Sequence, residues 1–164
     1  MAKRNRLMIP GPVDVWEDTL ETMGKPIIPH YGDEWIRLYW ETIDLVKEVF
    51  QTKNDIYILT SSGSGAMDAA FGSMFYTGEK VAMVCNGPFA NRIMDILAGY
   101  GLPVVRVESE WGRAADVDKM RQTLREQPDI ACVAVVANET GTGVRNPVKE
   151  LAELAHEHDI PIFV

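Results

Sequence analysis

From residue 80 onward the chain repeats one rhythm: a short apolar, β-branched run, a loop, then ten or more residues with helical spacing. Lys80-Val81-Ala82-Met83-Val84, Pro103-Val104-Val105-Arg106-Val107 and the runs 130–136 and 160–164 read as strands. Between them, 89–100 and 116–126 read as helices, and Asn146-Pro147 opens another with a capping residue and a favoured first position. Crossovers of that length join parallel strands. The strands are apolar without alternation, as a sheet covered on both faces requires. The fold class is therefore α/β, a mostly parallel sheet flanked by helices.

Upstream, Ile56-Tyr57-Ile58-Leu59 reads as one more strand, leading through a glycine loop into a helix over 66–76. Pro10-Gly11-Pro12 is a turn or extended element. Residues 14–23 are helical in pattern, with Gly24 placed to cap them. A longer helix runs over 33–50, where Trp35, Leu38, Tyr39, Thr42, Val46 and Val49 make an apolar stripe.

Composition narrows the function classes. A chain of 164 residues with 46% hydrophobic content can bury a single core. Its formal charge of −8, from 24 acidic and 16 basic residues, opposes non-specific nucleic-acid binding. The one basic cluster, Lys3-Arg4-Asn5-Arg6, reads as a short solvated stretch. No apolar run approaches the roughly 18–20 residues a membrane span needs, and Pro10, Gly11 and Pro12 break any signal-peptide core. Cys85 and Cys132 sit in or beside apolar runs and are expected as buried, reduced thiols. A soluble cytoplasmic protein with no nucleic-acid or membrane partner is the expectation. The last residues, Pro161-Ile162-Phe163-Val164, form an apolar strand with no turn after it, so the domain is expected to be truncated there.

In a parallel sheet, ligands bind beyond the carboxyl ends of the strands, so the loops after them carry the chemistry. These are Thr60-Ser61-Ser62-Gly63-Ser64-Gly65, Asn86-Gly87-Pro88-Phe89 and Asn138-Glu139-Thr140-Gly141-Thr142-Gly143. The first suits a phosphate: glycines admit backbone N–H groups, serines add hydroxyl donors, and the next helix presents its positive end. It is neither G-x-G-x-x-G nor a P-loop. Phe89 could pack in the core or stack on a ligand, and a stacking ring would face the cleft. Thr140 and Thr142 could bond a ligand or shape a turn. His156 and His158 point to different helix faces and make a poor metal pair. His30-Tyr31 could line a site or cap the long helix. Glu139 has no evident titrating partner, and no Ser-His-Asp or paired-carboxylate arrangement emerges.

Taken in order, Ile9-Pro10-Gly11-Pro12, Val49-Phe50-Gln51-Thr52, Ser62-Gly63-Ser64-Gly65-Ala66-Met67-Asp68-Ala69-Ala70, Asn86-Gly87-Pro88-Phe89, Trp111-Gly112 and Asn138-Glu139-Thr140-Gly141-Thr142-Gly143-Val144 form a series. That series resembles the alanine–glyoxylate and serine–pyruvate aminotransferases, class V enzymes of fold type I that use pyridoxal 5'-phosphate. The resemblance spans nearly the whole chain. It implies the large cofactor-binding domain in part (31–164), preceded by an N-terminal arm segment (1–30), with the small C-terminal domain absent. It further implies that Ser62, Gly63 and Ser64 hold the cofactor phosphate, that Phe89 stacks on the pyridine ring, and that Thr140 approaches the phenolic oxygen. Gly11 matches a backbone position near the substrate carboxylate.

Three family residues are missing: the Asp that pairs with the pyridine nitrogen, the cofactor-binding lysine and the substrate-binding arginine. None of Lys3, Lys25, Lys47, Lys53, Lys80, Lys119 or Lys149 matches the lysine, which is expected beyond residue 164. The resemblance thus implies amino transfer from a small amino acid of alanine or serine type to glyoxylate or pyruvate by a homodimer. The 164-residue chain alone is expected to be inactive. Two alternatives stand beside this. One is a related fold-type I enzyme, such as an aminoethylphosphonate transaminase, a phosphoserine aminotransferase or a cysteine desulfurase, the last disfavoured because it typically has histidine where Phe89 stands. The other is a non-catalytic phosphate-binding α/β module.

Overall fold

The computed structural model describes residues 6–7 and 11–164. Lys3, Arg4 and Asn5 of the basic cluster, and Ile9-Pro10 of the N-terminal motif, lie outside the described residues. The chain divides into two compact units, Met1–Thr60 and Ser61–Val164.

The first unit carries α1 (Glu17–Met23) and α2 (Asp33–Phe50). Helix α2 has the bounds its periodicity predicts. Asp33 and Glu34 open it and Lys47 stands in its last turn, the charge order that the helix dipole favours. Gln51, in the left-handed region at φ 51°, ends it, and the N–H groups of Gln51 and Thr52 turn back to the Glu48 and Lys47 carbonyls. The covered stripe is not quite the expected one. Ile43 is buried, and Trp35, Tyr39, Thr42 and Val46 are half-buried, whereas Leu38 and Val49 are exposed. The expected strand at 56–59 does not form among the described residues: Tyr57, Ile58 and Leu59 are exposed and unpaired with any strand. The side chains there suit a strand, but a strand exists only through its ladder.

The second unit holds α3 (Gly63–Met74), β1 (Lys80–Cys85), α4 (Pro88–Gly99), β2 (Val104–Glu108) and α5 (Val117–Glu126). It continues with β3 (Ile130–Ala134), β4 (Asn138–Glu139), β5 (Val144–Arg145), α6 (Val148–Glu157) and β6 (Ile162–Phe163). The main sheet runs β2-β1-β3-β6, with every pairing parallel. Strands β4 and β5 form a separate antiparallel hairpin. With two residues in each strand, that hairpin is too short to leave a periodic signal in sequence.

Successive residues of β1 face opposite layers. Val81, Met83 and Cys85 pack with Phe71 of α3 and Ala90, Ile93 and Leu97 of α4. Ala82 and Val84 pack with Met120 and Leu124 of α5 and Leu151 and Leu154 of α6. Each fully buried leucine or phenylalanine contributes about 1.5–3 kcal/mol. Phe71 also meets Phe163, with ring centroids 4.3 Å apart, which fixes α3 over the β6 side of the sheet. Both cysteines are free and buried, and burial pushes each thiol up to about 11.

Candidate functional site

Chain direction places the loops. Strand β1 leads to α4 on one face, and β3 leads through the hairpin to α6 on the other. Neighbouring strands that part to opposite faces leave a crevice at their carboxyl ends, where α/β sheets bind ligands. Helix α3 runs into the amino end of β1 through the short connection 75–79, so its N-terminus points toward the same carboxyl edge. At its other end, Gly72 lies so close to Tyr100, the C-cap of α4, that a Cβ would meet the ring at 2.7–2.9 Å. Burial, and then Asp68, raise the Tyr100 phenol above its usual range.

Two buried polar groups tie the loops together. Asn86, fully buried, donates from Nδ2 to the Arg113 carbonyl at 3.0 Å and to Asn146 Oδ1 at 2.8 Å. Asn146 donates back to Asn86 Oδ1 at 3.3 Å and to the Val136 carbonyl at 2.8 Å, and accepts from the Ala115 N–H at 2.8 Å. One amide pair thus joins the segments after β1, β2 and β3. This corrects the expected role of Asn146: its side chain is spent on the network, and α6 begins after Pro147 with no side-chain cap. The second group is Glu139, which is fully buried. Its Oε1 accepts from the N–H groups of Phe89 and Gly141, each at 3.3 Å, and its Oε2 accepts from that of Ala90 at 3.2 Å.

The predicted site residues fall as follows. Ser62 is the N-cap residue of α3 but makes no side-chain cap bond, and its carbonyl instead accepts from Ser61 Oγ at 2.8 Å. Space in front of Gly63 is open, for a Cβ there would meet nothing within 4 Å. Ser64 is half-buried in the first turn. Phe89 is 46% exposed and belongs to neither core layer. Thr140 is exposed in the hairpin turn, while Thr142 Oγ1 is buried without a partner. The turn folds back onto its own start, since the Thr142 and Gly143 N–H groups both donate to the Glu139 carbonyl. Loops 86–89 and 138–143 are therefore in direct contact, and among the described residues no hydrogen bond joins either to 62–64. Gly11 belongs to the other unit, exposed at φ 152°. Sequence reasoning noted Glu139 without a role, because its partners in α4 lie 50 and 49 positions away.

Fold and site together define a parallel α/β domain of the pyridoxal-phosphate transferase type. The chain belongs to the class-V aminotransferase family, whose model matches residues 20–164. An uncharacterized aminotransferase of Methanocaldococcus jannaschii is 38% identical over 158 residues, covering 96% of this chain and 41% of the relative. The serine–glyoxylate aminotransferase of Methylorubrum extorquens is 31% identical, covering 88% of this chain and 37% of that protein. The crystal structure of an alanine–glyoxylate aminotransferase from Nostoc sp. superposes with a TM-score of 0.88 at 28% identity, over 99% of this chain and 43% of that one. The chain therefore spans less than half the length of these relatives.

The family implies pyridoxal 5'-phosphate as the cofactor, and the residues present fit it. The first turn of α3 has backbone donors with no side-chain cap and open space before Gly63, which suits a phosphate. Phe89 stands 46% exposed outside both core layers, and Thr142 Oγ1 is a buried hydroxyl without a partner.

Proposed function

We propose that this chain supplies the cofactor-holding half of a pyridoxal-phosphate aminotransferase. Its reaction moves an amino group from a small amino acid of alanine or serine type to glyoxylate or pyruvate. The observation that carries this reading is the uncapped, glycine-rich N-terminus of α3 in a chain matched by the family over 20–164. Ser62, Gly63 and Ser64 hold the phosphate through hydroxyl and backbone donors, aided by the helix dipole. Phe89 presents its ring face to the pyridine. Thr140 offers a hydroxyl to the phenolic oxygen. Bound there, the cofactor supplies an electron sink for the charge left when an amino-acid Cα–H bond breaks.

We place the proton-moving lysine beyond residue 164. Three lysines of the second unit are engaged elsewhere: Lys80 pairs with Asp129 at 2.7 Å, Lys119 donates to the Glu108 carbonyl at 2.6 Å, and Lys149 stands 3.8 Å from Glu153. In this reading 1–30 is an arm and 31–164 the first part of the large domain. A homodimer belongs to the same reading, supported by the exposed Trp16, Ile27, Trp40 and Phe50 of the first unit. So does a cytoplasmic location, supported by two buried thiols without a disulfide. Among the described residues, no helix is long and apolar enough to cross a membrane.

The test uses the complete gene product with pyridoxal phosphate, glyoxylate, and L-alanine, L-serine or L-aspartate in turn. Glycine formed only when donor and glyoxylate are both present is the expected result. Cofactor binding without amino transfer would point to another fold-type I reaction, and absence of binding would overturn the reading altogether.

A further inference from the structure

We propose that Glu139 is a positioning residue that sets the Phe89 ring relative to the Thr140 turn. The proposal rests on the reading of Phe89 and Thr140 as cofactor contacts. Helix α4 starts at Pro88 after Gly87, which has no side chain with which to cap it. Glu139 supplies the missing acceptor from 50 positions away. One oxygen takes the Phe89 N–H and the other the Ala90 N–H, so the carboxylate grips the first turn of the helix that carries the ring. The first oxygen also takes the Gly141 N–H, immediately beyond Thr140. A single buried group therefore spans the two loops that face the crevice.

Close packing holds the same contact from both sides. A Cβ on Gly87 would overlap Cγ and Cδ of Glu139, and a Cβ on Gly141 would overlap the Pro88 ring. Gly87 sits at φ 175°, ordinary extended backbone, so it is glycine for space. The charge of a buried carboxylate is costly unless donors and a favourable field surround it. Here three N–H groups and the positive end of α4 do so. That cost is hard to explain for a turn that only needs closing, since the Glu139 carbonyl already closes it. What the carboxylate adds is a fixed relation between the turn and the Phe89 backbone.

Glutamine tests this, for it keeps the shape but turns one acceptor into a donor that must face an N–H. The experiment compares wild type, E139Q, E139D, F89A and E139Q/F89A in the complete gene product. It measures pyridoxal-phosphate affinity, the circular dichroism induced in the bound cofactor, and amide exchange without cofactor in 87–91 and 139–143. E139Q is expected to weaken binding roughly tenfold, the scale of one lost charge-assisted bond, to change the induced signal, and to speed exchange in both segments. E139D, one methylene short of α4, should fold and show the same pattern. The double variant should bind about as F89A does, because Glu139 acts through the ring. Equal affinity in wild type, E139Q and E139D, or additive losses in the double variant, would overturn the proposal. Should wild type bind no cofactor, the functional reading fails, and exchange unchanged by E139D would still overturn the coupling of the two loops.

Discussion

At the scale of single residues, space and burial decide more than conformation does. Gly87→Ala asks for a methyl group where Glu139 stands, and overpacking of this kind costs about 1–3 kcal/mol. Urea unfolding should show that loss. The thiols give a second expectation. Burial holds Cys85 and Cys132 at about 11, above the ordinary 9.0, so both remain neutral in the folded chain while unfolded thiols ionise. Their contribution to stability is complete below pH 9 and is lost as the pH climbs toward 11. The urea midpoint should fall across that window, and neither thiol should react with a disulfide reagent at pH 8 until the chain is unfolded. The cysteines were legible in sequence because they sit in apolar runs. Glu139 was not, for its partners in α4 lie 50 and 49 positions away.

At the scale of elements, local signals found the helices but not always their ends: α1 begins at Glu17 rather than 14, and α3 spans Gly63–Met74 rather than 66–76. Helix α2 follows its periodicity to the residue, and α5 follows Asp116, whose carboxylate accepts from the N–H groups of Asp118 at 3.0 Å and Lys119 at 3.1 Å. Asp116→Ala should cost about 1 kcal/mol in the urea midpoint through loss of that cap. Asn146 shows the limit of the same reasoning. Its residue type and the proline after it announce a cap, yet three stronger claims on its side chain, from Asn86, Ala115 and Val136, pull it into the interior. Residues 56–59 failed for a different reason, because a strand pattern needs a neighbouring ladder. The β4–β5 hairpin was invisible since it is held by a turn and a buried carboxylate, with no run of side chains to announce it.

At the scale of the whole molecule, the two units differ in what they bury. Among the described residues before 61, Ile43 alone is a fully covered hydrophobic side chain, while Trp16, Ile27, Trp40, Phe50 and Tyr57 are exposed. Apolar surface of that extent drives association. Sedimentation of the 164-residue chain should therefore show concentration-dependent self-association, and Trp40→Asp with Phe50→Asp should reduce it. The same chain should form no glycine from alanine and glyoxylate, whatever its oligomeric state. By itself the sequence determined the α/β class, the alternation of main-sheet strands and helices from residue 80 onward and two of the loops that follow those strands, because periodicity, turn chemistry and glycine loops are properties of neighbours in the chain. Only the tertiary structure decided that Asn86 pairs with Asn146 across 60 positions and that Glu139 grips the helix of Phe89 across 50. Such bonds depend on which loops the parallel crossovers bring together, and on the need of every buried polar group to find a partner there.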